Sequence, residues 1–384
     1  MIIVLDATSA FYQAPIVVPT VVRPPQGEAA SGVLWKLNKA MPGLRASAKA
    51  WDKRKADDYI EIGCERSAVD PCVFYHPEKD ILLESHGDDA IAVGKLSDIR
   101  WFEGELTARF DCKMQPLVGL GKECFFRVTE NGWEYEGDPK HILRLMDIFG
   151  MQDAKTVTSP GIKEQVLEPN DVFLNKEDHS LYRTGVGILL YAASDRSDLK
   201  YAVKELMRDV SAPTELSMRR LRRIIRYASG ARRFVNTINW QTIGPTVEAI
   251  VDADHAGSLT SRKSASGGSI HVNKAYIFDY SVAQSTVALS SGESEFLAMV
   301  AGILKLLYVG NIMKTMGFKV EHLKIYSESS AARGIIGRLG VGKKVKHICT
   351  KNLLVQSLID EGIVAVMSVP TLTNVADLFA KYLT

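Results

Sequence analysis

Two sets of acidic residues in this chain have the types and spacing for metal-dependent phosphoryl chemistry. Asp6 closes an apolar run at residues 1–5, and Asp88 and Asp89 sit between two more, at 81–83 and 91–93. Adjacent carboxylates repel each other, and each resists burial unless a cation neutralises it. Two divalent ions about 4 Å apart would do so, while activating an attacking hydroxyl and stabilising a leaving pyrophosphate. The tetrad His86-Gly87-Asp88-Asp89 also has the composition of an ordinary exposed hairpin turn, so taken alone it leaves both readings open.

The second set is Asp252, Glu295, Glu328 and Asp377, separated by 43, 33 and 49 residues. Four acids from separate elements converge only in a folded site, and cations make that convergence tolerable. Such a site suits two-metal phosphodiester hydrolysis. Spacing alone does not distinguish it from four unrelated surface carboxylates. Asp254 and Glu293 lie in the same segments and are second choices.

The elements that must position these residues follow from hydrophobic pattern and punctuation. Residues 1–5 read as a buried strand, 15–27 as a proline-rich loop, and the stretch after Gly43 to Ile62 as a helix. Residues 73–75, 81–83 and 91–93 read as short strands, the last two flanking the Asp pair as a hairpin. In the last third, 247–251, 269–272, 276–280, 323–327 and 363–369 read as strands, with an Asn273-Lys274 turn. Ser290 to Glu293 forms a capping-box pattern ahead of a helix stopping at Gly317. Further helices are expected near 351–360 and around Asp377. Between 211 and 233 an apolar face of Leu216, Leu221, Ile224, Ile225 and Ala228 alternates with seven arginines. Ser211 or Thr214 would cap this helix, and Arg219, Arg220, Arg222, Arg223 and Arg226 form either a phosphate-binding face or a solvated one.

Composition narrows the class. The chain is 46% hydrophobic and 24% charged, close to the globular average and far from disordered or fibrous sequences. Its unbroken apolar runs, such as residues 186–193, are far short of a membrane span, and the first residues carry no signal-peptide pattern. No membrane is expected as a partner. Five scattered cysteines without a CxxC pair argue against a disulfide scaffold or zinc site and fit a reducing intracellular compartment. A net charge of +2, from 47 basic and 45 acidic residues, says little about partners.

Several segments together resemble copia-type LTR retrotransposon Pol polyproteins. LDATSAFYQAP, LWKLNKAMPGLRASAKAW, AVDPCVFY and HGDDAIAVG resemble, in order, four reverse transcriptase motifs. SLYRTGVGILLYAASDRSDLKYAV and SAPTELSMRRLRRIIRYASG resemble the middle of the same region. VDADHAGSLTSRKSASGGSIHV, QSTVALSSGESEFLAM, IYSESSAA, KKVKHICTK and VADLFAKYL resemble its RNase H part.

The resemblance implies an α+β / α/β chain. Residues 1–112 would be a reverse transcriptase palm remnant, 113–239 a connection region with the basic helix, and 240–384 an RNase H-like domain, a mixed sheet flanked by helices. It implies that Asp6, Asp88 and Asp89 bind two metals, that Phe11 gates against a 2′-hydroxyl, and that Gly43 lets the backbone approach nucleotide and template. It implies a second metal set, Asp252, Glu295, Glu328 and Asp377, and substrate contacts at Lys346 and His347. The cofactor would be Mg²⁺, with Mn²⁺ as a substitute, and the partner an RNA–DNA hybrid. An intact element would work in cytoplasmic virus-like particles or the nucleus.

Departures temper the activity. His86-Gly87 replaces Tyr-Val, Pro42 replaces Tyr, Glu328 replaces Asp with one methylene more, and Cys349 replaces Asp. The start five residues before Asp6 implies an absent fingers region and lost polymerisation. The alternative is a catalytically inactive relic that only binds nucleic acid. The sequence gives no oligomeric state.

Overall fold

The computed structural model describes residues 1–28, 32–116, 124–162, 171–241, 246–340 and 350–382. They form two compact units, Met1–Leu120 with Asn311–Lys319, and Gly121–Gly310 with Val320–Thr384.

The first unit contains β1 (Ile2–Ala7), α1 (Ala10–Gln13), β2 (Val21–Val22), β3 (Trp35–Lys36), α2 (Ser47–Ile62), β4 (Glu65–Arg66), β5 (Val73–His76), β6 (Ile81–His86), β7 (Asp89–Val93), α3 (Leu96–Thr107) and β8 (Cys112–Pro116). Its main sheet runs β4-β5-β6-β7-β1-β8 and is antiparallel throughout. Side chains alternate across a strand. Ile3 and Leu5 of β1 and Ala90 and Ala92 of β7 therefore share a buried face, packed with Trp51 and Tyr59 of α2 and Ile99, Phe102 and Leu106 of α3. Asp6 and Asp89 lie on the opposite, exposed face.

The second unit begins with a three-stranded sheet, β9 (Cys124–Thr129), β10 (Gly132–Gly137) and β11 (Val235–Asn239), in the order β11-β10-β9. Between β10 and β11 lie α4 (Lys140–Ile148), α5 (Lys176–Ala192), α6 (Lys200–Arg208) and α7 (Glu215–Gly230). Their apolar faces meet in one core, with Leu145, Leu189, Leu206, Leu221 and Ile225 buried. Thr214 caps α7 in a reciprocal pair with Ser217, which selects it over Ser211.

A second sheet follows, β12 (Thr246–Asp254), β13 (Ala265–Val272), β14 (Ala275–Ala283), β15 (His322–Ser327) and β16 (Val364–Ser368). Its order is β14-β13-β12-β15-β16, antiparallel on one side of β12 and parallel on the other. The helices are α8 (Ser291–Thr315), α9 (Ser330–Ile336), α10 (Thr350–Asp360) and α11 (Asp377–Ala380). This is the mixed sheet with helices anticipated from the sequence.

The segments expected as separate domains, 113–239 and 240–384, pack largely within one unit. Asp279 of β14 explains part of this, because its buried carboxylate binds Lys200, Ser197 and Tyr276 at once. The Tyr201 and Tyr382 rings add an edge-to-face contact at 4.8 Å.

By length and composition α8 is long and apolar enough to cross a membrane, although no unbroken run in it reveals this. Its Phe296, Ala298, Met299, Ile303 and Leu306 are buried. A side chain at Gly302 would strike Val251 at 2.5 Å and Ile325 at 3.1 Å, so the glycine lets α8 lie close on β12 and β15.

Candidate functional site

The second acidic set converges. Carboxylate oxygens of Asp252, Glu328 and Asp377 all lie within 4.8 Å of one another, the one such group of three or more potential metal ligands among the described residues. Each arrives for a local reason. Asp252 sits near the end of β12 and is 1% exposed. Glu328 follows the last residue of β15, whose Ser327 carbonyl accepts a 2.6 Å bond from Arg333. Asp377 opens α11, which crosses β13 at Gly267. A side chain there would meet the Phe379 backbone at 2.5 Å, and Gly267 pairs directly with Asp252. The Ser281 hydroxyl ties the Phe379 carbonyl at 2.6 Å.

Glu295 joins from the opening of α8. Its carboxylate accepts the Ala253 backbone N–H and feels the charges of Asp252 and Glu328. The neighbouring Glu293 has a different task. It accepts the Leu289 N–H at 2.9 Å while the Ser290 hydroxyl accepts the Glu293 N–H, so it caps α8. Asp254 lies toward the Tyr201 hydroxyl, 3.5 Å away.

Two residues not singled out in the sequence complete the arrangement. The buried Asn374 amide donates to Asp252 Oδ1 at 3.3 Å and Asp377 Oδ1 at 3.2 Å. Lys381 Nζ lies 2.9 Å from Asp377 Oδ1 and 3.6 Å from Asp252 Oδ2. The only hint in sequence is the i,i+4 spacing of Asp377 and Lys381, one helical turn.

The electrostatics record the crowding. Burial pushes Glu295 up to about 8, and the charges of Asp252 and Glu328 add to this. Burial likewise lifts Asp252 to about 6, with Lys381 opposing and Asp377 and Glu328 reinforcing the rise. Burial alone would lower Lys381, but the hydrogen bond it donates to Asp377 and the surrounding carboxylates hold it above its ordinary value. Asp252 Oδ2, Glu295 Oε2 and Glu328 Oε2 are buried without a hydrogen-bond partner. Buried polar groups are almost always paired. Buried oxygens left without a hydrogen bond on hard carboxylate donors fit a divalent cation.

The first acidic set is arranged differently. Asp6 and Asp89 are directly opposite on paired strands, and Asp88 is in the two-residue turn before β7. All three are exposed, and they do not form a metal-ligand group among the described residues. The turn itself is firmly held. The Gly87 carbonyl accepts the Trp51 indole N–H at 2.9 Å and the buried Lys55 ammonium at 3.1 Å, and the Asp88 carbonyl accepts the Ala7 N–H. Phe11 is partly buried against the apolar core of its unit. Gly43 has φ +89° and open space where a Cβ would stand, leaving exposed backbone at a turn that favours glycine.

The arginines of α7 are substantially engaged within the chain. Arg220 pairs with Asp209 at 3.4 Å, Arg223 donates to the Ser159 hydroxyl and Arg226 to the Lys155 carbonyl. Arg219 also has a partner, and Arg222 is exposed. Lys346 and His347 lie outside the described residues.

Comparison with known proteins finds relatives along almost the whole chain. The chain is 25% identical over 395 residues to the retrovirus-related Pol polyprotein from transposon TNT 1-94 of Nicotiana tabacum, covering 98% of this chain and 29% of that one. It is 25% identical over 389 residues to the corresponding polyprotein from transposon RE1 of Arabidopsis thaliana, covering 98% and 26%. Over 98% of its length the chain is a homologue of retrovirus-related Pol polyproteins from transposons. It spans less than a third of the length of these relatives. No family model matches. Among solved structures it is similar to the N-terminal RNase H domain of rv2228c from Mycobacterium tuberculosis, fused to maltose-binding protein. That similarity has a TM-score of 0.26 and 13% identity, covering 36% of this chain and 91% of that one.

Proposed function

We propose that this transposon Pol segment carries an RNase H-like nuclease that cuts the RNA strand of RNA–DNA hybrids. Asp252, Glu295, Glu328 and Asp377 would hold Mg²⁺, with Mn²⁺ as a substitute. The observation that carries the reading is the convergence of Asp252, Glu328 and Asp377, with Glu295 close enough to feel the charges of Asp252 and Glu328 and with buried carboxylate oxygens that accept no hydrogen bond. Bound there, a divalent cation supplies charge stabilisation at the scissile phosphate and lowers the pKa of an attacking water. The chain's own residues fix the donors in advance. Asn374 orients Asp252 and Asp377 together, and the Ala253 N–H orients Glu295. Donors already aimed need little rearrangement during reaction. Burial and the charges of Asp252 and Glu328 raise the Glu295 carboxyl, and a cation bound beside it would favour its ionised form.

The first unit is proposed to correspond to the palm of a copia-type reverse transcriptase without polymerase activity of its own. Its three aspartates are exposed and ungathered, and Phe11 is packed on the core. Arg222 and neighbouring arginines on α7 would add salt-sensitive contacts to nucleic-acid phosphates.

The test uses an end-labelled RNA–DNA hybrid and the whole chain. Cleavage of the RNA strand in Mg²⁺ or Mn²⁺, absent in EDTA and lost in Asp252→Asn, is expected. Cleavage that persists in EDTA or in Asp252→Asn would overturn the reading.

A further inference from the structure

Asp377 reaches the acidic group on a helix of a single turn. α11 has four residues, too few to hold a helix in place by its own hydrogen bonds. Its position must come from what lies against it and after it. One support is the sheet, where Gly267 admits the Phe379 backbone and the Ser281 hydroxyl donates to the Phe379 carbonyl. The other lies just beyond the helix. Lys381 is extended, with φ −149° and ψ 164°, and the next residue, Tyr382, packs against the apolar core shared by α4, α5, α6 and α7. A side chain at Gly161 would stand 2.0 Å from the Tyr382 ring, so the ring fills the space beside that glycine.

The ring that meets Tyr382 is Tyr201 of α6, which is 8% exposed. The two stand edge to face, 4.8 Å between centroids and 85° between planes. The Lys204 ammonium lies 4.0 Å from the centroid of the Tyr201 ring. The Tyr201 hydroxyl is directed at Asp254 Oδ2, 3.5 Å away. Asp254 is two residues after Asp252 on β12 and shares its face of the strand. One side chain of the middle helices therefore touches both the strand that carries Asp252 and the residue that follows the helix carrying Asp377. Its backbone is fixed as well. Lys200, the residue before it, pairs with the buried Asp279 of β14, which also accepts from Ser197 and Tyr276.

Resting on the nuclease reading above, we propose that Tyr201 is a positioning residue of the acidic site: its ring seats Tyr382 and so keeps Asp377 beside Asp252. In this account α6 is part of the nuclease and not a linker leading to it. The ring carries the effect, because it alone meets Tyr382, while the hydroxyl contact is at the outer limit of hydrogen-bond length.

The experiment reads Mn²⁺ affinity of the whole chain, by loss of the free-ion electron paramagnetic resonance signal, with Asp252→Asn used to subtract sites elsewhere. Each variant is measured where circular dichroism shows it fully folded, so that a role in stability alone leaves the affinity unmoved. Tyr201→Leu, which keeps apolar volume but no ring, should bind Mn²⁺ about tenfold more weakly, and Tyr201→Phe, which keeps the ring, should stay within about twofold of the parent. Tyr382→Ala removes the same contact from the half-buried side and should match the loss in Tyr201→Leu; it decides even where Tyr201→Leu fails to fold. Parent-like affinity in folded Tyr201→Leu or Tyr382→Ala would overturn the inference and leave the nuclease reading intact. Equal losses in Tyr201→Phe and Tyr201→Leu would also overturn it, since the ring would then not be what matters. No Asp252-dependent Mn²⁺ in the parent would overturn the inference together with the reading on which it rests.

Discussion

Glu295→Gln should stabilise the metal-free protein, and increasingly so as pH rises. Glu295 is 8% exposed and its carboxyl is moved from 4.5 to about 8 by burial and by the charges of Asp252 and Glu328. An acid raised on folding contributes stability that is complete below its unfolded value and lost as pH climbs through the folded one. Between pH 5 and pH 9 the folded state must therefore accept a charge it resists. At 1.36 kcal/mol per pH unit, the full displacement is about 5 kcal/mol. Its two carboxylate neighbours relax in response, so a single substitution should recover about 2–4 kcal/mol. Gln keeps the shape and the acceptor for the Ala253 N–H but never ionises. In EDTA, the stability difference between Glu295→Gln and the parent should be small at pH 5 and reach that figure near pH 9. The assay is urea denaturation followed by circular dichroism. Saturating Mn²⁺ should reverse the order at pH 8, stabilising the parent by binding only the folded state. A gain independent of pH, or a loss at pH 9, would refute the argument that Glu295 is a buried acid awaiting a cation.

Other perturbations follow from the same geometry. Glu328→Asp should weaken Mn²⁺ binding by about tenfold, since one methylene fewer draws its oxygen back from those of Asp252 and Asp377; titration calorimetry reads this, and a tighter complex would contradict it. Asn374→Ala should cost about 1–3 kcal/mol in metal-free unfolding, because two buried carboxylates lose a shared donor, and an unchanged midpoint would count against that role. Lys55→Met should loosen the turn holding Asp88, seen as faster amide exchange at Ala7 with about 1–2 kcal/mol lost, whereas unaltered exchange would mean Trp51 alone suffices. On α7, Arg222→Gln should reduce the log–log salt slope of nucleic-acid binding by about 0.9, while Arg226→Gln should mainly lower stability; equal slopes for both and the parent would make the face merely solvated.

The sequence exposes the elements of the site better than its partners. β12 and β15 are legible because each is an apolar run ending in an acid. The α8 start is legible because Ser290 and Glu293 satisfy the helix's first N–H groups. The same capping logic separates Glu293 from Glu295. Asn374 and Lys381 are not legible in that way. Their roles depend on where α11 crosses the sheet, which is set by Gly267 and Ser281, far earlier in the chain. β9, β10 and β11 also escape reading, since their half-exposed faces blur the alternation that marks a strand. The first acidic set shows the limit of local pattern. A hairpin turn does place Asp88 and Asp89 near Asp6, yet the pleat directs Asp6 and Asp89 to the open face rather than into a shared pocket. The arginine helix is likewise visible as a helix, but its pairing with Asp209, Ser159 and Lys155 is a tertiary fact.

Anomalous diffraction from Mn²⁺-soaked crystals tests the central claim most directly. The account predicts a strong peak at the group formed by Asp252, Glu328 and Asp377, beside Glu295. No peak at this group, with Mn²⁺ bound elsewhere or not at all, would contradict it.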